Sequence, residues 1–151
     1  MNKFMELAID EARLGINNND GGPFGCVIIK DGEIIAQAHN TVVRDNDPTA
    51  HGEMNAIRIA GKKLGTFDLS GCELFTTGAP CPMCLCAILW ANIDKVYYGC
   101  NTTDTEIIGF RDKDFEESIP ERKEKICKEL DREACLELYK QYANLTVKTN
   151  Y

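Results

Sequence analysis

Two short segments decide the fold and the chemistry of this chain: His51-Gly52-Glu53 and Pro80-Cys81-Pro82-Met83-Cys84, with 29 residues between His51 and Cys81. Together they offer one imidazole, two thiols and one carboxylate. Two Cys and one His form an accepted ligand set for a catalytic zinc, which keeps its fourth position open for water. We therefore expect His51, Cys81 and Cys84 to bind one Zn²⁺ per chain. Glu53 is then expected to be the base that activates the zinc-bound water.

The first segment is predicted to lie at the start of a helix. Asp47 is a suitable N-cap and Pro48 a suitable first helical residue, so His51 and Glu53 would fall in the opening turn. Two residues apart on a helix, their side chains lie roughly 200° apart around the axis. This geometry favours His51 as a metal ligand and Glu53 as a residue that reaches the bound water.

The second segment repeats this arrangement, with Cys81 near a helix cap, Pro82 in the first turn and Cys84 one turn further on. The free N–H groups and the positive dipole end of a helix N-terminus favour the thiolates that bind zinc. The alternatives are a closed structural zinc site and a redox dithiol. Cys86 is the nearby residue that could close the site, but on a helix it would point away from Cys84.

Charge and composition argue against a binding partner that is itself a polyanion. The 151 residues carry a formal net charge of −7, whereas nucleic-acid binding depends on Lys and Arg against phosphate. We expect no nucleic-acid partner, no membrane association because no apolar run is long enough, no secretory signal and a cytoplasmic location. Five cysteines outside the motif are expected to be small buried side chains: Cys26, Cys72, Cys100, Cys127 and Cys135.

Periodicity predicts alternating helices and strands in one domain, residues 1–151. The predicted helices cover 2–17, 48–64, 81–90 and 121–142; the predicted strands cover 24–30, 33–38, 72–77 and 94–99, with a polar loop at 40–47. Asp31-Gly32 is typical of a two-residue hairpin turn. The alternation after residue 48 indicates crossover connections and a parallel section of sheet. The predicted architecture is therefore a three-layer α/β/α fold with a sheet of mixed direction.

The chain resembles the cytidine deaminase-like superfamily, and within it the small bacterial guanine deaminases. The segments that carry the resemblance are Gly21-Gly22-Pro23-Phe24-Gly25, residues 46–53, residues 80–84 and Ala87-Ile88-Leu89-Trp90-Ala91. Features that favour the guanine branch are Trp90, Ile108-Gly109-Phe110-Arg111-Asp112 and the final Tyr151. Two positions depart from the family pattern, Gly52 where Ala is usual and Ala79 where Glu is common.

The resemblance implies a fold and a reaction. The fold is the three-layer cytidine deaminase-like one, with a mixed, mostly parallel five-stranded sheet. The reaction is zinc-dependent hydrolytic deamination of a free purine base, guanine to xanthine plus ammonia. Asn40 would hydrogen-bond the base, Phe24 and Trp90 would form apolar walls, and Asp112 would contact polar edges of the substrate or relay protons.

The resemblance also implies a homodimer with a small nucleobase as its ligand. Residues 143–151 would form a tail that covers an active site, either its own or that of the partner chain by exchange, with Tyr151 closing the pocket. Three alternatives stay open: a cytosine, nucleoside or other small-heterocycle deaminase with the same machinery, a tRNA adenosine deaminase, and a zinc-stabilised binding or scaffold protein.

Overall fold

A computed structural model describes residues 1–149. The chain forms two compact units, Met1–Glu116 and Glu117–Tyr151. Tyr151, for which a role in closing the pocket was expected, lies outside the described residues. The elements of the chain, in order, are α1 (Lys3–Asn17), β1 (Gly25–Lys30), β2 (Glu33–His39), α2 (Val42–Asp45), α3 (Gly52–Leu64), β3 (Cys72–Gly78), α4 (Pro82–Trp90), β4 (Lys95–Cys100), α5 (Thr102–Ile107), α6 (Asp112–Ile126) and α7 (Arg132–Ala143).

The first unit contains a mixed sheet with the strand order β2-β1-β3-β4. β1 is antiparallel to both β2 and β3, and β3 is parallel to β4. The layered fold and the mixed sheet are as predicted. In the described part of the chain the sheet has four strands, not five, and two of its three neighbouring pairs are antiparallel, so "five-stranded" and "mostly parallel" are corrected.

The physical reason lies in the order of the strands. β2 and β3 run in the same direction across the α3 connection, as the alternation predicted, but β1 lies between them and pairs with both in the opposite sense. No further strand follows β4 in the described residues, because the polar chain there forms helices. Asn101 and Asp104 close a reciprocal capping box that starts α5.

Helices cover both faces of the sheet. Alternate residues of a strand point to opposite faces: Ile28 packs with Ala56 of α3 and Ile88 of α4, whereas Val27 packs with Ala8 of α1. α1 lies so close to β1 that a Cβ on Gly25 would come within 1.9 Å of the Ala8 carbonyl oxygen. This packing fixes the ends of the strands that carry the site.

The second unit differs from the single helix predicted over 121–142. α6 ends at Ile126 and α7 begins at Arg132, with Asp131 before it in the left-handed region at φ 51°. The predicted polar loop at 40–47 contains the short helix α2. No helix among residues 1–149 combines the length and the apolar character needed to cross a membrane.

All eight cysteines lie in the described residues and are free thiols. Cys26 and Cys72 are buried, as predicted. Cys100, Cys127 and Cys135 are exposed, so their predicted burial is wrong. Cys100 ends the edge strand β4, and the other two belong to the highly charged stretch after residue 116, where few side chains are covered.

Candidate active site

His51 is the N-cap of α3, not a residue of its first turn. Its backbone is extended, at φ −70° and ψ 157°. Asp47 does not start the helix, which corrects the prediction: its carboxylate accepts hydrogen bonds from the Thr49 amide and hydroxyl at 2.8 and 2.7 Å, closing a separate turn. His51 therefore projects from the helix end, and Glu53 lies in the first turn behind it.

The second helix start matches its prediction. Cys81 is the N-cap of α4, Pro82 occupies the first turn, and Cys84 is fully buried one turn on. Cys86 is exposed and points away. The N-termini of α3 and α4 thus meet, and each supplies backbone N–H groups and a positive dipole end to the side chains between them.

The three predicted ligands form a compact cluster. Nδ1 of His51 lies 3.6 Å from Cys81 Sγ and 3.5 Å from Cys84 Sγ, and all three ligand atoms lie within 4.8 Å of one another. Tetrahedral zinc with Zn–S of about 2.3 Å and Zn–N of about 2.0–2.1 Å requires an S···N separation of about 3.6 Å. The donor types and their spacing therefore fit zinc.

The protonation of the cluster also suits a metal. Hydrogen bonding with Cys84 lowers the pKa of Cys81 to about 4, with a further contribution from His51. The same bond, together with burial, raises the pKa of Cys84. The hydrogen bond with Cys81 raises the pKa of His51. These groups already lie at ligand distance, and metal binding at such a site is coupled to the release of their protons.

Glu53 is buried beside this cluster, with 5% of its surface exposed. The Thr76 hydroxyl on β3 donates to its Oε1 at 3.4 Å, and the Cys84 thiol donates to its Oε2 at 3.5 Å. Burial raises the pKa of Glu53. A raised pKa brings a carboxyl group closer to neutral pH, which suits it to act in turn as a general base and a general acid.

The cluster opens onto a cavity of about 610 Å³. Most of its lining is apolar or aromatic, and polar groups concentrate near the metal ligands. The lining residues are Gly21, Gly22, Phe24, Asn40, Val42, Val43, Pro48, His51, Glu53, Ala79, Cys81, Phe110, Arg111, Asp112 and Phe115. A mostly apolar cleft with a few convergent polar groups is the usual form of a small-molecule site.

Three of the residues predicted to bind substrate line this cavity: Phe24, Asn40 and Asp112. Burial raises the pKa of Asp112. Trp90 does not line the cavity: it lies at the other end of α4, about 13 Å along the helix axis from Cys81, and is 65% exposed. Proximity in sequence to the cysteine motif therefore did not bring the indole to the site.

Phe110 is a lining residue that the sequence analysis did not assign to the site. Its ring meets Phe24 edge to face, with ring centroids 4.8 Å apart, and together they form an aromatic wall. The resemblance of residues 108–112 to the guanine branch is the sequence signal that points to this segment. Within it, the sequence does not distinguish Phe110 from Ile108 as a lining residue.

Comparison with known proteins identifies the family. The model of the cytidine and deoxycytidylate deaminase zinc-binding region matches residues 1–100. The chain belongs to this family. Members of the family are zinc-dependent hydrolytic deaminases, and the chain is accordingly an enzyme of that class.

Relatives of this deaminase include a guanine deaminase and a tRNA-specific adenosine deaminase. Guanine deaminase from Bacillus subtilis (strain 168) is 50% identical over 109 residues, which cover 72% of this chain and 70% of the relative. The tRNA-specific adenosine deaminase of Aquifex aeolicus (strain VF5) is 44% identical over 95 residues, 63% of this chain and 62% of the relative.

Solved structures extend the likeness to the whole chain. The X-ray structure of Bacillus subtilis guanine deaminase superposes with a TM-score of 0.92 at 40% identity, covering 100% of this chain and 99% of the other. A structure of guanine deaminase from Nitrosomonas europaea gives a TM-score of 0.68 at 33% identity over 71% of this chain and 62% of the other.

The deaminase has a local reason for Gly52, where the resemblance led us to expect Ala. A Cβ at this position would lie 2.9 Å from the Phe24 carbonyl oxygen, so the glycine lets the start of α3 approach the backbone that leads into β1. Ala79, the second departure, lines the cavity, and its amide donates to the Cys100 carbonyl at 2.8 Å. Its small side chain leaves room beside Cys81.

Proposed function

We propose that this deaminase hydrolyses a free purine base, with guanine as the substrate and xanthine and ammonia as the products. The observation that carries the proposal is the shared cavity: the metal-ligand cluster, the buried Glu53 carboxylate, the Asn40 amide and an aromatic wall all face the same space. The 50% identity to a guanine deaminase supports the choice of base.

In this proposal His51, Cys81 and Cys84 hold Zn²⁺, which when bound supplies a Lewis acid that makes water a nucleophile at neutral pH. Glu53 takes a proton from the attacking water, whose oxygen forms a bond to the ring carbon that bears the amino group. Glu53 returns this proton to a ring nitrogen, takes the second proton of the former water from the new hydroxyl group, and passes it to the departing amine. The carbon–nitrogen bond breaks, and ammonia leaves, so guanine plus water gives xanthine plus ammonia.

Asn40 is proposed to orient the base. Its Oδ1 accepts a hydrogen bond from the Val42 amide at 3.1 Å, which leaves Nδ2 as the donor available to a carbonyl or ring nitrogen of the substrate. Phe24 and Phe110 are proposed to contact the flat face of the ring, because aromatic side chains pack well against planar ligands. Asp112 is proposed to contact a polar edge of the base.

We propose a lid role for the C-terminal tail, residues 143–151, over an active site of a homodimer. The Tyr142 hydroxyl of α7 donates to the Thr149 carbonyl at 2.6 Å, so the described part of the tail is held against α7. Closing segments of this kind exclude water and complete a pocket. Tyr151 would be the terminal aromatic of that lid.

A second function, tRNA adenosine deamination, has one observation in its favour, the 44% identity to the Aquifex enzyme. The net charge of −7 argues against it, because binding of RNA depends on cationic side chains. A panel of bases, nucleosides and tRNA assayed for ammonia release separates the two. The proposal predicts guanine as the best substrate, and turnover of tRNA or cytosine with guanine left intact would overturn it.

A further inference from the structure

His39 lies between two carboxylates behind the active site. Its Nδ1 is 3.0 Å from Glu11 Oε2, and its Nε2 is 2.9 Å from Asp20 Oδ2. His39 and Asp20 are buried, with 9% and 6% of their surfaces exposed. Each ring nitrogen therefore lies at hydrogen-bond distance from a different carboxylate.

Arg44 of α2 joins the cluster, with Nη1 3.5 Å from Asp20 Oδ2 and Nε 2.8 Å from Asp45 Oδ1. The imidazole and the guanidinium thus face carboxylates from α1, the α1–β1 connection and α2. Charge-assisted hydrogen bonds of this type are stronger than neutral ones and hold their partners in defined positions.

The backbone is built around the same cluster. The Asp20 carbonyl accepts hydrogen bonds from the amides of Val43 and Arg44, each at 3.0 Å. A Cβ on Gly15 would lie 2.7 Å from His39 Cδ2, so the ring packs directly against the backbone of α1. The cluster thus links β2, which carries His39, to α1, the α1–β1 connection and α2.

Two members of this cluster, Asp20 and His39, each precede a residue that lines the catalytic cavity. Gly21 follows Asp20, and Asn40 follows His39. These two lining residues touch: a Cβ on Gly21 would lie 2.1 Å from Asn40 Oδ1. Fixing Asp20 against His39 therefore fixes the Gly21 backbone against the Asn40 amide.

We propose that His39 is a positioning residue of the active site: its two ring nitrogens join Glu11 to Asp20 and so hold the Asn40 amide and the Gly21-Gly22 wall in the geometry that binds the base. The expected change in KM for guanine rests on the proposed function. His39 contacts neither the substrate nor the reacting atoms, and its effect is on binding of the base.

The test compares zinc-loaded wild-type protein with His39→Gln and Glu11→Gln. Glutamine at position 39 can donate from one nitrogen but cannot bridge two carboxylates, and Glu11→Gln keeps an acceptor while removing one charge. Arg13→Gln is the matched control, since it removes an exposed α1 charge paired with Asp10. We expect KM for guanine to rise about tenfold in His39→Gln and less in Glu11→Gln, with kcat changed less than about twofold.

Nuclear magnetic resonance supplies a readout that does not depend on activity. The protein is labelled with ¹⁵N, and its spectrum is recorded for the wild type and for each variant. The amide signals of Gly21, Gly22 and the Asn40 side chain are expected to shift in His39→Gln and to stay in place in Arg13→Gln. If His39→Gln does not fold, Glu11→Gln is measured in the same way.

Unshifted Gly21, Gly22 and Asn40 signals in His39→Gln would overturn the proposal, as would an unchanged KM accompanied by a lower melting temperature, which is the behaviour of a purely structural residue. If the wild type does not act on guanine, the proposed function fails. The positioning role of His39 is then judged by the Gly21, Gly22 and Asn40 signals alone.

Discussion

Oε2 of Glu53 lies 3.5 Å from Sγ of Cys84, although the two residues are 31 positions apart and belong to different helices. Thr76 of β3 holds the other carboxylate oxygen at 3.4 Å. The carboxylate is therefore fixed beside the ligand cluster and is not one of its three members. This arrangement separates metal binding from proton transfer, and the two can be tested by different variants.

The ligand set is tested by two serine variants at positions two residues apart on α4. Cys84→Ser removes a buried thiol of the cluster, and Cys86→Ser changes an exposed one. We expect zinc content after dialysis to fall well below one ion per chain in the first variant and to remain near one in the second. Elemental analysis by mass spectrometry measures the zinc content of each variant. Loss of zinc from Cys86→Ser would instead indicate a closed, structural site.

The close approach of Gly21 to Asn40 predicts a steric effect on binding. In Gly21→Ala the new Cβ would overlap Asn40 Oδ1, so the amide must move from its place beside the cavity. We expect kcat/KM for guanine to fall at least tenfold, or about 1.4 kcal/mol of transition-state stabilisation. The control is Gly61→Ala in α3, whose Cβ meets only the Thr66 carbonyl, at 3.2 Å. Equal kinetics for the two variants would refute the steric account.

Asp45 predicts a pH dependence of stability. Hydrogen bonds from Arg44 and Thr41 lower its pKa from 3.8 to about 2. Because the folded-state pKa is depressed, the stabilisation is complete above the unfolded-state value and is lost as the pH falls through the folded-state value. Asp45→Asn is thus expected to unfold at lower urea concentration than wild type at pH 6, with a difference that shrinks between about pH 4 and pH 2.

The control for that comparison is Glu33→Gln, an exposed change on β2. It is expected to show no difference from wild type that varies with pH in this range. A difference for Asp45→Asn that stays constant from pH 6 to pH 2 would contradict the assignment of the Arg44 and Thr41 hydrogen bonds to the folded state.

The proposed lid is tested by truncation. Removing residues 145–151 is expected to leave zinc content and the melting temperature close to those of wild type, since this segment contributes no buried side chain among its described residues. Turnover of guanine is expected to fall strongly, because water would reach the open pocket. Full activity in the truncated enzyme would show that the tail is not a lid and would weaken the preference for guanine.

The cysteine helix was predictable because its signal is local. Pro82 follows Cys81 directly, and this order fixes both the helix start and the distance to Cys84. The start of α3 was misplaced because Asp47 and Thr49 offer the same hydrogen bonds to a turn as to a helix N-cap. Only the packing of the chain decides between them.

The sheet order and the deeper parts of the site depend on contacts that are distant in sequence. Nothing near β1 indicates that it separates β2 from β3. His39 likewise meets Glu11 and Asp20 across 28 and 19 positions, with no short motif to mark the cluster. Trp90 shows the converse: it lies next to a motif in sequence yet ends far along the helix from the cavity.

The most direct test of the account is the rate of xanthine formation from guanine by zinc-loaded wild-type protein and by Glu53→Gln, with zinc content measured on the same samples. Glutamine keeps the size of the side chain but cannot exchange the proton. The account predicts rapid turnover by the wild type, equal zinc in both proteins, and a loss of about 10²–10⁴-fold or more in kcat for Glu53→Gln. Near-normal turnover by Glu53→Gln with its zinc bound would contradict it.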